Sequence, residues 1–174
     1  MTAGPRRAGR ENPGMDADAA RLLRRLLAEQ PTAALATLHK GEPAVSMVPF
    51  VLPAGGTGLI IHVSGLATHT RDMQDHPRVA LLITADASGP WPPQALPRVS
   101  LTADARFLPR DSAEAAAAGA IYLARFPDSA PTFELGDFSL VALQPVSARL
   151  VAGFGRACSL VGDALQAWLR DAPT

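Results

Sequence analysis

Three apolar runs, Ala33–Leu38 (AALATL), Ala44–Leu52 (AVSMVPFVL) and Leu59–Ser64 (LIIHVS), are separated only by HKGEP (His39–Pro43) and PAGGTG (Pro53–Gly58). Connections this short cannot hold the crossover that parallel strands need. With glycine at each tip, they predict hairpin turns and an antiparallel meander of three strands. VALLIT (Val79–Thr84) is almost entirely apolar and is expected to be covered on both faces. Arg98–Leu108 alternates as a strand does, and Phe138–Gly155 predicts two strands with a break near Pro145. Four helices fit at the margins. Asp16 or Asp18 caps one that runs to Glu29, with Leu22, Leu23, Leu26 and Leu27 on one face. Leu66–His76 is a short one stopped by Pro77. Asp111–Phe126 is alanine-rich and starts at Asp111 or Ser112. Ser159–Asp171 is a terminal one. The fold class is therefore mainly β with peripheral helices, six or seven antiparallel strands closing or partly closing a barrel to manage their edges.

At 174 residues the chain suits one domain, expected over 16–174 after a disordered Gly/Pro/Arg-rich leader, 1–15. Sixteen basic and sixteen acidic residues cancel, which argues against nucleic acid or an acidic membrane surface as partner. Cys158 is the only cysteine, so no internal disulfide forms, and it is expected in the core. No apolar run spans a bilayer or resembles a signal sequence, so a cytoplasmic location is expected. The four histidines show no metal-ligand spacing, and no metal site is expected. Ala85–Pro97, rich in Gly and Pro around Trp91, is a long loop of the kind that often carries function.

The junction IIHVSGLATHTRDMQDHPRV (Ile60–Val79) concentrates polar groups in an otherwise apolar region. Ser64 ends a strand, and Thr68, His69, Thr70 and Arg71 fall in the first turns of the following helix. Two explanations stand side by side. A helix start favours anions, and hydroxyls with a guanidinium would complete a phosphate cradle. Alternatively, Ser64 or Thr68 is an ordinary cap and Arg71 is solvated. His62 is either a core histidine with a local hydrogen bond or a ligand contact, while His39 and His76 are expected at the surface. GFGRA (Gly153–Ala157) is either a bulge with Arg156 in a salt bridge or a ligand-facing arginine.

Six segments, in order, resemble the FMN-binding split-barrel superfamily of pyridoxamine-5'-phosphate-oxidase-like proteins, and within it the haem-utilisation branch. They are PAVSMVPF (Pro43–Phe50), HVSGLATHTRDMQDHPRVALLI (His62–Ile83), PRVSLTADARFL (Pro97–Leu108), YLARFP (Tyr122–Pro127), GDF (Gly136–Phe138) and LVAGFGRA (Leu150–Ala157). The resemblance implies a six-stranded antiparallel split β-barrel that forms a homodimer with flavin sites at the subunit interface. It implies that Ser46, Met47, Val48 and Pro49 lie along the flavin ring, with His62, Val63 and Ser64 on the adjoining strand end. His69, Thr70 and Arg71 would hold the FMN phosphate, Arg98 would reach the ring, and Arg156 would approach late in the chain. The implied activity is a flavin-dependent oxidoreductase on a small-molecule substrate, with haem binding or haem utilisation in the same cleft as the alternative. No side chain stands out as an acid or base catalyst. Two features depart from the pattern. Ser46 stands where the oxidase proper has a phosphate-binding arginine, so pyridoxamine-phosphate oxidation is not expected. The haem-ligating histidine that some haem-utilisation proteins carry near their C-terminus has no counterpart here, since no histidine follows His76.

Overall fold

The fold is seen in a computed structural model in which residues 15–171 are described. The expected leader, apart from Met15, lies outside the described residues.

Lys40 and Gly41 both have positive φ (54° and 85°). They form the tight turn that matches strand twist and join β1 (Thr32–His39) to β2 (Glu42–Pro49). β3 (Leu59–Ser64), β4 (Arg78–Thr84), β5 (Arg98–Phe107) and β6 (Phe138–Gly153) complete a sheet ordered β2-β1-β4-β5-β6-β3. One antiparallel bridge, Val51 with Ile60, brings the two edges together through hydrogen bonds of 3.0 and 2.8 Å. Six strands thus curl into a split barrel, as expected. β7 (Arg156–Val161) pairs with the far half of β6. Leu35, Ile61, Val63, Ile83, Val99 and Leu143 fill the interior. α1 (Ala17–Glu29) adds Leu23, Leu26 and Leu27 to that core, each stabilising it by about 1.5–3 kcal/mol. Asp16 caps α1 by accepting from the Ala19 amide at 2.7 Å. Cys158 is buried in the same core.

Four expectations need correction. β3 does not continue a meander: it pairs along its length with β6, from Leu59–Leu143 to Ser64–Phe138. Pro49 and Pro53 bracket the chain after β2 and lack the donors a ladder needs, so its contact with β3 shrinks to the single bridge. β6 is continuous through Pro145, because the register slips opposite it, between Thr102 and Ala103, and absorbs the missing N–H. β7 then takes the start of the expected terminal helix, leaving α5 as Gly162–Asp171.

The fourth concerns β4, whose burial alternates instead of being complete. Ala80 and Leu82 point outward, in register with Ala36 and Ala34 of β1 and through them with Val45 and Met47 of β2. Val45 is 74% exposed, Met47 62% and Leu82 39%. The outer face of β2-β1-β4 is therefore a contiguous apolar shelf. Outside the barrel on the other side, α3 (Ala113–Arg125) covers β3 and β6. It is capped by Ser112, which accepts from the Ala115 amide. Ile60, Leu140, Ala115, Ala118 and Tyr122 belong to a second, smaller core there.

Candidate functional site

β3 delivers Ser64 to a tight turn before α2 (Thr68–Asp75), whose N-cap, Ala67, has no side-chain cap. The junction is neither ordinarily capped nor an open cradle. The Ser64 hydroxyl donates to the Asp137 carboxylate at 2.6 Å and accepts from the Leu66 amide. The buried Thr70 hydroxyl donates to the Ser64 carbonyl at 2.6 Å, tying the helix to the strand end. Both hydroxyls are thus engaged within the fold, and Asp137 sets a carboxylate beside Ser64. Arg71 stands exposed on the helix surface.

The neighbouring face of α2 packs over β1 and β2 and roofs a half-open cavity of about 310 Å³ lined by Thr37, Ala44, Val45, Ser46, Thr68, His69 and Asp72. Two expected site residues, Ser46 and His69, meet here. Among the described residues the buried Ser46 hydroxyl oxygen has no hydrogen-bond partner. Such orphans are uncommon in folded proteins; Arg24 Nε and Trp168 Nε1 are likewise unpaired, and of the three only Ser46 lines this cavity. Burial pushes the His69 imidazole below its usual pKa, with nearby Asp72 opposing the shift, so the ring is neutral at neutral pH.

Asp72, only 4% exposed, accepts from the Thr37 hydroxyl at 2.7 Å and from His39 Nδ1 at 2.8 Å. Burial favours its neutral form, but the bonds from His39 and Thr37 outweigh it and hold the carboxyl below the usual range. The carboxylate fixes Nδ1 of His39 as a donor and leaves Nε2 as its other polar atom, the orientation seen when a carboxylate supports a ligating imidazole.

The remaining expected residues are spread over the molecule. Val48 and Val63 lie in the barrel core, and Met47 and Pro49 belong to the other face of β2. His62 sits on the outer face of β3, under α3. Its ring stacks on Phe133 at 4.0 Å and approaches Phe138 and Tyr122 at 5.0 and 5.7 Å. Burial, helped by the Arg110 charge, lowers its pKa from 6.5 to about 4. The Arg98 guanidinium donates to the carbonyls of Leu96 (3.0 Å) and Gln94 (3.4 Å), holding the end of the Trp91 loop. Arg156 pairs with Asp16 at 3.1 Å, and Gly153 and Gly155 take positive φ around the hairpin tip. Sequence patterns alone missed Thr37, His39, Asp72 and Asp137. Thr37 carried a signal, being a hydroxyl on the inward-facing register of an apolar strand.

A split barrel with a helix-covered cavity over the first hairpin defines the class, and the sequence agrees. Residues 20–152 match the family described as pyridoxamine 5'-phosphate oxidase, and the chain belongs to that family. Two curated relatives narrow the comparison. Heme oxygenase HutZ of Vibrio cholerae is 32% identical over 139 residues, 79% of this chain and 78% of that protein. The chloroplastic heme oxygenase HOZ of Arabidopsis thaliana is 36% identical over 119 residues, 68% of this chain. The chain spans only 35% of the length of that plant protein. A heme binding protein from Mycobacterium smegmatis superposes with a TM-score of 0.75 at 32% identity, over 85% of this chain and 60% of that one. No helix among the described residues is long and apolar enough to cross a membrane.

Proposed function

We propose that this protein binds haem as a homodimer and serves in haem utilisation, in the cytoplasm. The observation that carries the proposal is the continuity of the cavity with the apolar shelf. Val45 both lines the cavity and stands exposed on the shelf beside Met47. A flat apolar macrocycle suits the shelf, and its carboxylates suit the orphaned Ser46 hydroxyl and Arg71. His69, neutral and half-buried, is the histidine that lines this cavity with Ser46 and would be the nitrogen donor for a haem iron, in place of a histidine later in the chain. Haem would supply a redox-active iron; the chain's own residues would bind, orient and shield it. The shelf is an exposed apolar patch, and a second copy covering it would complete the site. The identities of 32–36% to heme oxygenases support haem over flavin.

A second proposal, FMN with flavin-dependent oxidation of a small substrate, rests on the family match and on the same orphaned hydroxyl. The spent hydroxyls of Ser64 and Thr70 and the Asp137 carboxylate count against a dianionic phosphate at the start of α2. Native mass spectrometry of the purified protein separates the two. A dimer carrying the mass of haem, retained or reconstituted, supports the first; a dimer carrying FMN that refuses haem overturns it.

A further inference from the structure

The alanine-rich face of α3 does more than cover the barrel. Ala115, Ala116, Gly119 and Ala120 reach too short a distance to fill the space between α3, the strands β3 and β6, and the short helix α4 (Ala130–Phe133). A cleft of about 510 Å³ remains there, outside the barrel, whereas the Ser46 cavity lies beneath α2 against β1 and β2. Its size falls within the range of small-molecule sites, about 300–1,000 Å³. Leu108, Leu123, Leu140, Phe133 and Phe138 make it more apolar than polar.

Three polar side chains line this cleft, Ser139, His62 and Arg110, and the last two are complementary in chemistry. Thr132 donates its hydroxyl proton to the Ser129 carbonyl at 2.6 Å, so its oxygen is left to accept from His62 Nδ1 at 3.3 Å. That fixes the His62 tautomer, with Nε2 as a lone-pair acceptor that has no protein partner among the described residues. The other group is Arg110, the one charged residue lining the cleft among the described residues. Its Nη2 donates to the carbonyls of Leu135 (2.8 Å) and Phe138 (2.9 Å), which anchors the guanidinium. Nε and Nη1 keep their donors. Burial keeps His62 uncharged at neutral pH, so the cleft carries a single positive charge, that of Arg110, which is itself exposed to solvent.

We propose that this cleft is a second binding site, for a small aromatic monocarboxylate, with the carboxylate on the Arg110 guanidinium and the ring among Phe133, Phe138 and the alanine face of α3. The complementarity sets the class. One anchored cation without an internal carboxylate calls for one anion, and a guanidinium fork receives a planar carboxylate best. The aromatic walls favour a flat ring over a branched chain. The proposal stands apart from the haem assignment, since neither Ser46 nor His69 takes part.

The test uses calorimetric titration of the full chain with 2-naphthoate and with its neutral analogue 2-naphthylmethanol. The expected result is saturable naphthoate binding at one per chain. Arg110→Gln should weaken naphthoate by about tenfold or more while changing naphthylmethanol by less than about twofold. Ala120→Trp, placed at an exposed position of α3 that faces the cleft, should abolish binding of both. Should Arg110→Gln loosen the segment it anchors, both ligands weaken together and the Ala120→Trp result decides. Absence of saturable naphthoate binding by the native chain overturns the proposal. So does equal naphthoate affinity in Arg110→Gln, or undiminished binding by Ala120→Trp.

Discussion

Lowering the pH from 7 to 4 should cost this protein stability specifically through His62. Its ring lies between Phe133, stacked at 4.0 Å, and the edges of Phe138 and Tyr122, with the Arg110 charge nearby. Burial and that charge hold its folded pKa at about 4, against an ordinary value of 6.5. The unfolded chain therefore takes up a proton as pH falls through 6.5, while the folded chain resists until about 4. Between those values the unfolded state binds more protons, so the stability tied to His62 is full above 6.5 and drains away as pH drops toward 4. A fully buried group displaced this far would contribute about 3.4 kcal/mol. His62 is only half-buried, and solvent screening reduces the figure to on the order of 1.5 kcal/mol. Urea unfolding of the native chain and of His62→Gln, at matched pH values from 7 to 4, isolates the effect because the carboxylates titrate alike in both. The native chain should lose about 1.5 kcal/mol more than the variant across that window. Parallel profiles, or an NMR titration placing His62 near 6.5, would refute the packing argument.

Gly58→Ala would put a Cβ 2.6 Å from the Leu143 carbonyl oxygen, where β3 enters its ladder with β6. The clash should cost roughly 1–3 kcal/mol in thermal unfolding, and a change below about 0.5 kcal/mol would show that the strand entry yields. Val45→Glu with Met47→Glu should leave the fold intact by circular dichroism and convert the proposed dimer to monomer in light scattering; an unchanged dimer would move the interface elsewhere. In the flavin alternative, Arg71→Ala should weaken FMN by about tenfold relative to riboflavin, because only FMN has a phosphate. Equal losses would remove Arg71 from phosphate binding.

Local chemistry was legible in the sequence and long-range pairing was not. The Lys40–Gly41 turn, the Asp16 and Ser112 caps and the interior face of α1 rest on neighbouring residues, and each formed where spacing predicts it. The β3–β6 ladder joins segments far apart in the chain, and nothing near Leu59 names Leu143 as its partner. Likewise, apolar composition in β4 predicts coverage without saying what covers it; within this chain Ala80 and Leu82 are left facing out. The site divides the same way. The resemblance brought Ser46 and His69 into one candidate site, and the cavity under α2 holds both. The fate of the Ser64 hydroxyl depended on Asp137, which lies 73 residues further along the chain and accepts its hydrogen bond. The carboxylate supporting His39 is equally tertiary, since Asp72 and His39 meet only once α2 packs on β1.

The proposal of haem at the Ser46–His69 cavity is tested most directly by titrating haem into the native protein and into His69→Ala while recording the Soret band. The native protein should give a saturable, shifted Soret band, and His69→Ala should weaken the binding by about tenfold or more and change the band's position, as expected when an iron loses a nitrogen ligand. An identical titration for the two proteins would contradict His69 as the donor. No saturable Soret change in the native protein, with FMN bound instead, would contradict haem as the ligand.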